Sequence, residues 1–201
     1  MKKCKKCLLP ETYETIEFDQ NGCNICNSNT NLKKNINWKK REEDLKNLVN
    51  KFRGKYDYDC IVPYSGGKDS TFQLYYVTKI LNLKPLVIRF NHGFLRKVIK
   101  NNTEKTLKKL GVDFIEFTPN WKIVKKLMLE SFVRKTDFCW HCHTGIYSYP
   151  TRLAIKLNIP LIIWGEPTAE FNAYYDYNEF ETEDEEKFDR VHNLGISADD
   201  M

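Results

Sequence analysis

Asp59-Cys60-Ile61-Val62-Pro63-Tyr64-Ser65-Gly66-Gly67-Lys68-Asp69-Ser70 is a short apolar run that opens directly into a glycine loop. Its first half has the length and composition of a buried strand. Residues 69–81 then carry a helical pattern, with Phe72, Leu74, Tyr75 and Ile80 among the apolar positions. Strand, tight turn and helix in that order make an anion cradle. The two glycines let the backbone turn sharply and approach an anion with no Cβ in the way. The N–H groups of the loop and of the first helical turn then point at phosphate oxygens. Ser65 and Ser70 add hydroxyl donors, and Lys68 adds positive charge. Asp69 has the wrong sign for a phosphate and is assigned to Mg²⁺ or water beside it. The spacing is not that of a Walker loop, which needs Gly-x-x-x-x-Gly-Lys-Ser/Thr.

Outward from the loop, strands and helices alternate. Residues 38–52 predict an amphipathic helix with Leu45, Leu48, Val49 and Phe52 on one face. Residues 84–90 predict a second strand ending in the polar tip Asn91-His92-Gly93. A helix follows over 94–110, capped by Gly111. A strand over 112–117, a helix over 121–133 and a partly helical segment over 144–157 come next, with Pro150 expected near a start or a kink. Pro160-Leu161-Ile162-Ile163-Trp164 predicts a fourth strand, ending at Gly165-Glu166-Pro167. The alternation implies α/β architecture, a doubly wound parallel sheet covered on both faces. Ligands bind such sheets beyond the carboxyl ends of the strands. The polar clusters at 65–70, 91–93 and 165–166 all follow strand ends.

Six of the seven cysteines fall in Cys-x-x-Cys pairs: Cys4/Cys7, Cys23/Cys26 and Cys139/Cys142. The spacing of the first two pairs fits a closed four-thiolate Zn²⁺ site of structural type. Gly22 suits the tight turn of a knuckle. So small a module cannot build a core unaided, so metal would supply its folding energy. Cys60 stands alone in an apolar run and reads as a core residue. Cys139-Trp140-His141-Cys142-His143 leaves three roles open. It can bind a metal or cluster, although a cluster usually takes three or four thiolates. It can be a redox or sulfur-carrying pair. It can line a substrate pocket, with His141 or His143 as acid–base groups.

The chain has 201 residues, 41% of them apolar, and a formal net charge of +5. That length allows one medium domain and a small appendage. No apolar run approaches the ~20 residues of a bilayer span, and no signal sequence follows Met1. A cytoplasmic protein is expected. Basic residues dominate before Pro160, whereas 166–189 is acidic. A basic body can attract polyphosphates or nucleic acid, but the acidic stretch argues against a continuous RNA surface. Phe171, Tyr174, Tyr175 and Tyr177 can stack on a sugar, form core or meet a partner. Residues 195–201 look like the opening of a helix with Ser197 as N-cap. An N-terminal portion of a longer protein, or a truncated product, is therefore expected. The expected organisation is a zinc-binding module at 1–36, a linking helix at 37–56 and the α/β domain at 57–201.

Ser65 to Ser70, in its strand–loop–helix setting, resembles the signature of the PP-loop ATP pyrophosphatases. The resemblance implies that ATP is cleaved between its α and β phosphates and AMP passes to a substrate oxygen. Further motifs are Cys4-x-x-Cys7-Leu8-Leu9-Pro10, Phe18-Asp19-x-x-Gly22-Cys23-x-x-Cys26 and Phe138-Cys139-Trp140-His141-Cys142-His143-Thr144-Gly145. Trp164-Gly165-Glu166-Pro167 and Asn193-Leu194-Gly195-Ile196 complete them. Together they resemble the N-acetyl sugar amidotransferases of bacterial surface-polysaccharide pathways, over nearly the whole chain. That family converts an acetamido group to acetamidino on sugars such as pseudaminic or legionaminic acid or O-antigen nucleotide sugars. A separate glutaminase subunit supplies ammonia. Members are longer than this chain, so the part beyond Met201 is expected to complete the substrate pocket.

The candidate catalytic residues are Lys68, Asp69, Cys139, Cys142 and His143. Nucleotide contacts are assigned to Ser65, Gly66, Gly67, Lys68, Asp69, Ser70, Arg89, Phe90, Asn91, Gly165 and Glu166. Zinc is assigned to Cys4, Cys7, Cys23 and Cys26. Arg89 can stabilise departing pyrophosphate or serve as an ordinary ion-pairing residue. Glu166 can face the pocket or cap the turn. No membrane is implied, and a homo-oligomer is compatible with the reading. The alternative is a PP-loop tRNA-modifying thiolase, which shares the zinc knot, the loop and a middle Cys-x-x-Cys used for sulfur or an iron–sulfur cluster.

Overall fold

A computed structural model describes residues 1–12, 16–20, 22–27 and 37–165, together with Asn193, Gly195 and Asp200. Glu166, the acidic stretch, the four late aromatics and the helix expected to open at Ser197 lie outside the described residues. Those described fall into two compact units, one up to Asn47 and the other from Leu48.

In the first unit β1 (Phe18–Asp19) and β2 (Gly22–Cys23) form a two-stranded antiparallel pair, with Phe18 opposite Cys23 and Asp19 opposite Gly22. An isolated bridge joins Lys3 to Pro10. Between them Leu8 N–H donates to the Cys4 carbonyl at 2.9 Å, closing a tight turn around the first cysteine pair. α1 (Trp38–Asn50) begins in this unit and ends in the next. Of its predicted apolar face Val49 is fully buried, whereas Leu48 is exposed.

The second unit is built on three parallel strands: β3 (Cys60–Pro63), β4 (Pro85–Phe90) and β5 (Asp113–Phe117), in the order β3-β4-β5. The register sets Ile61 beside Leu86 and Ile88 beside Ile115. Buried Asp59 fixes the start of β3. Its carboxylate accepts from the N–H groups of Gly54 at 2.6 Å and Lys84 at 2.7 Å. The predicted fourth strand is reduced to one parallel bridge, Ile162 beside Ile61. Ile61 N–H donates to the Leu161 carbonyl and Ile163 N–H to the Ile61 carbonyl. The chain thus adds β4 and β5 on one side of β3 and returns to its other side. Connections diverge there, which opens a crevice at the carboxyl end of β3.

Helices alternate with these strands. α2 (Lys68–Tyr75) follows the glycine loop and runs on into a π-helical turn, Tyr76–Ile80. That turn closes with Leu81 N–H on the Tyr76 carbonyl at 2.9 Å. The extra residue breaks the 3.6-residue period. Leu74, Val77 and Leu81, spaced three and then four residues apart, form the buried face, and Phe72, Tyr75 and Ile80 of the predicted apolar set are exposed. α3 (Lys97–Leu110) ends on Gly111 in the left-handed conformation, as the glycine implied. α4 (Trp121–Lys135) opens on Asn120, whose side chain accepts from Lys122 N–H at 2.9 Å.

α5 (Trp140–Lys156) corrects the expectation of a partly helical segment. It starts four residues earlier and passes through Pro150 without ending. Proline has no N–H to give the Ile146 carbonyl four residues back, yet its ring is fully buried and packing holds it in place. Ala154 of α5 packs with Ile61, Leu86, Ile88 and Ile159 in the core. Gly145 of α5 lies against the Phe90 ring, and a Cβ there would stand 2.3 to 2.6 Å from its carbons. Gly145→Ala must push apart a helix and a strand end that have no slack. A cost of about 1–3 kcal/mol is expected, measurable as a fall in Tm of about 5–10 °C. An unchanged Tm would contradict this packing.

Candidate active site

The loop at residues 65–70 sits at the carboxyl end of β3, where the crevice opens. Gly66 has φ +82°, in the left-handed region. A Cβ on it would lie 2.8 Å from both Ile99 Cγ2 and Thr103 Oγ1 of α3. Gly67 is the N-cap of α2 with extended backbone and no side-chain cap. The first N–H groups of α2 are thus offered to an anion. Ser65 and Ser70 hydroxyls meet at 3.0 Å, and Ser65 Oγ accepts from Gly67 N–H at 3.3 Å. Behind the loop Tyr64 OH reaches Thr71 Oγ1 at 3.1 Å. Lys68 is 91% exposed and its Nζ is 3.9 Å from Asp69. Both side chains stand in solvent beside the loop, available to an incoming ligand.

The loop borders a cavity of about 220 Å³. Ile88, Phe90, Ile146, Pro150 and Trp164 supply apolar wall, and Ser65, Ser70, Arg89 and His92 are polar groups at its lining. Tyr147 and Trp164 also line it, with ring centroids 4.8 Å apart. A mainly apolar slot beside an anion cradle has the form of a nucleotide site. Phe90 and Gly165 also border it. Gln73 of α2 was not foreseen. Its Nε2 donates to the Ile163 carbonyl, which ties the loop's own helix to the edge segment, while its Oε1 is buried without a partner.

Two of the residues expected to contact nucleotide also brace the sheet. Arg89 is buried and forms a two-pronged ion pair with Glu116, and its Nη1 donates to Thr103 Oγ1 at 3.0 Å. The ordinary ion-pairing role considered for it is therefore met, although its side chain still borders the cavity. Asn91 does not line the cavity. Its N–H donates to the Phe117 carbonyl at 2.8 Å, and its side chain donates to Glu116 and Thr118 and accepts from Gly93 N–H at 3.0 Å. All of those bonds hold the loop that follows β4.

Cys139, Cys142 and His143 do not line this cavity either; α5 enters it one turn later, through Ile146, Tyr147 and Pro150. Cys139 is the N-cap of α5, and its N–H donates to Asp137 at 2.7 Å. Burial and then nearby Asp137 push the Cys139 thiol up. Burial pushes Cys142 up to about 11. Both thiols therefore stay protonated at neutral pH. His143 is exposed, whereas His141 is buried with no hydrogen-bond partner on either ring nitrogen. Trp140 Nε1 donates to the Asn193 carbonyl at 2.7 Å, and Thr144 Oγ1 meets Asn193 Oδ1 at 3.1 Å. Two motifs far apart in sequence therefore meet.

In the first unit the Sγ atoms of Cys4, Cys7, Cys23 and Cys26 all lie within 4.8 Å of one another. Cys4 to Cys26 is 3.9 Å and Cys7 to Cys23 is 3.5 Å. A tetrahedral Zn²⁺ with bonds of about 2.3 Å needs edges of about 3.8 Å, so the donor set fits. Lys6 N–H points at Cys4 Sγ and Cys26 N–H at Cys23 Sγ, each at 3.4 Å. Backbone N–H groups at Cys7 and Lys6 hold the Cys4 thiol down to about 6, while hydrogen bonding with Cys7 pushes Cys26 up to about 12. Four thiols this close cannot all ionise unless a cation offsets their repulsion. Among the described residues this is the one cluster of three or more such side chains that could hold a metal.

No family model matches the chain. It is 26% identical over 168 residues to an uncharacterized protein of Methanocaldococcus jannaschii, MJ1599, spanning 81% of this chain and 58% of that protein. The chain thus spans little more than half the length of this curated relative. Among solved structures it resembles the NH₃-dependent NAD synthetase from Campylobacter jejuni in complex with the nitrate ion. The TM-score is 0.52 at 13% identity, over 70% of this chain and 62% of that one. It also matches the U34-tRNA thiolase NcsA from Methanococcus maripaludis with its 4Fe–4S cluster, with a TM-score of 0.45 at 17% identity, over 84% and 55% of the two chains. The likeness is one of fold. The chain has a parallel α/β fold like that of the NAD synthetase, with an N-terminal cysteine cluster able to form a zinc knuckle.

Proposed function

We propose that this chain carries the ATP-using site of an AMP- and pyrophosphate-forming amidotransferase that converts the acetamido group of a surface-polysaccharide sugar to acetamidino. The observation that carries the reading is the uncapped glycine loop at a strand's carboxyl end, opening on an apolar slot. The ammonia dependence of the NAD synthetase it resembles in fold supports an ammonia-using reaction. The Cys4-x-x-Cys7-Leu8-Leu9-Pro10 and Cys139 to Gly145 motifs support the sugar family.

An amide carbonyl is a poor electrophile because its nitrogen donates into it. Transfer of AMP to the amide oxygen gives an imidate with a good leaving group. Ammonia from a glutaminase partner then adds to the carbon and AMP departs, leaving the amidine. The loop's N–H groups, Ser65, Ser70 and Lys68 hold the pyrophosphate as charge builds on it. Asp69 stands where it can hold Mg²⁺ accompanying the phosphates, which would offset their charge. The four N-terminal cysteines hold zinc for folding and take no part in the chemistry. No helix among the described residues is long and apolar enough to cross a membrane. A reaction that consumes ATP fits the cytoplasm.

The test incubates the protein with ATP, ammonia and a panel of N-acetyl sugars, with products read by mass spectrometry. Replacement of one sugar oxygen by an NH group supports the reading. ATP-dependent modification of tRNA in place of a sugar would overturn it. Lys68→Ala separates binding from folding, because the exposed side chain packs on nothing. Its Tm should be unchanged, while ATP–pyrophosphate exchange falls about 10²–10³-fold.

A further inference from the structure

His92 is the cavity-lining histidine, and the loop that carries it is tightly held. Asn91 anchors that loop to β5 and its end through Glu116 and Thr118 and turns it through Gly93 N–H. The His92 ring stacks on Phe94 with centroids 5.9 Å apart, and Phe94 meets Trp121 edge-on at 6.0 Å. Phe94 N–H donates to His92 Nδ1 at 3.2 Å. A nitrogen that accepts a backbone N–H cannot carry a proton. Neutral His92 must therefore hold its proton on Nε2.

We propose that His92 is a fixed neutral hydrogen-bond donor, whose Nε2–H meets an anionic oxygen of the nucleotide phosphates bound at the neighbouring loop. The proposal rests on the nucleotide site described above. It assigns His92 neither proton transfer nor a cationic role. Protonation would put a second proton on Nδ1 and turn the bond from Phe94 into a clash of donors. The titratable and charged groups facing His92 are His141 from α5 and Arg89 from β4, and neither would welcome another positive charge. Burial, His141 and Arg89 together keep the imidazole below its ordinary range. Near His141 in turn are the carbonyl groups of His92 and Phe138, together with Asp137 and His143, and burial keeps it neutral as well. A neutral imidazole that donates without ionising keeps its strength at any pH above its own titration.

The test compares binding of α,β-methylene-ATP to the full chain, His92→Gln and His92→Ala from pH 7 to 9. The glutamine amide can place an N–H near where Nε2–H lies, so His92→Gln should bind within about threefold of the parent. His92→Ala should bind about 10- to 100-fold more weakly, the range for a hydrogen bond to a charged group. The ratio of parent to His92→Ala should stay constant across the pH range. A His92→Gln variant as weak as His92→Ala, or a ratio that shrinks toward one by pH 9, would overturn the proposal. ¹⁵N spectra of the parent give a second reading that needs no variant: an Nε2–H tautomer at pH 7 supports it, and an Nδ1–H tautomer or imidazolium sinks it. No binding by the parent would remove the nucleotide site itself, whereas binding indifferent to all three residues at position 92 would remove only this role.

Discussion

Gly66→Ala is expected to reduce ATP–pyrophosphate exchange by at least about 100-fold, while Gly67→Ala leaves the protein folded with nearly its parental Tm. The two glycines are adjacent and look equivalent in sequence, yet their surroundings differ. At φ +82° an alanine at 66 costs about 1–2 kcal/mol from backbone sterics alone. Its Cβ would also stand 2.8 Å from Ile99 and Thr103, so the loop must lift off α3. Thr103 is held in turn by Arg89, and the loop rather than the sheet is what gives way. A displacement of about 1 Å at a positioning element commonly costs 10²-fold. At 67 the backbone is extended, and the nearest atom to a new Cβ is Ser65 Oγ at 3.4 Å, an ordinary contact. Thermal denaturation and exchange assays on both variants check this. Equal losses in Tm would show that the loop does not rest on α3 as described.

Metal removal should separate the two units. Chelation, or Cys4→Ser with Cys23→Ser, is expected to unfold the N-terminal unit, because two-residue strands and a handful of backbone bonds cannot hold it. Apparent zinc-binding free energies of about 10–16 kcal/mol are what such small modules rely on. The α/β unit draws on its own core of Ile61, Leu86, Ile88, Ala154 and Ile159 and should survive. Limited proteolysis after chelation should remove residues before about Leu48 and leave a resistant fragment, with one zinc per chain lost by elemental analysis. Iron in place of zinc, or a cutting pattern unaffected by chelation, would refute this account.

What the chain reveals without its structure is what depends on short-range pattern. Alternating apolar runs and helical periods marked the parallel α/β fold, because each element's period follows from its own backbone geometry. The glycine loop and the paired cysteines were legible for the same reason, since their chemistry needs fixed residues at fixed local spacing. Gly111 capped α3 as its position implied. Tertiary structure decided the rest. Phe72, Leu74, Tyr75 and Ile80 were all legible as apolar helix positions, but packing on the sheet decided that Leu74, with Val77 and Leu81, went inside and the other three stayed exposed. His141 and His143 sit two residues apart on one helix, and only the packing of α5 buries the first and exposes the second. For Arg89 the sequence left pyrophosphate or an ion pair open, and only the sheet showed its partner, Glu116, opposite it on β5. His92 carried no motif of its own. Only the fold set it at the lining of the cavity that Ser65 and Ser70 also border, with Phe94 N–H on its Nδ1. Local spacing is written in one segment, whereas a side chain's partner is chosen by which distant segments the fold brings alongside it.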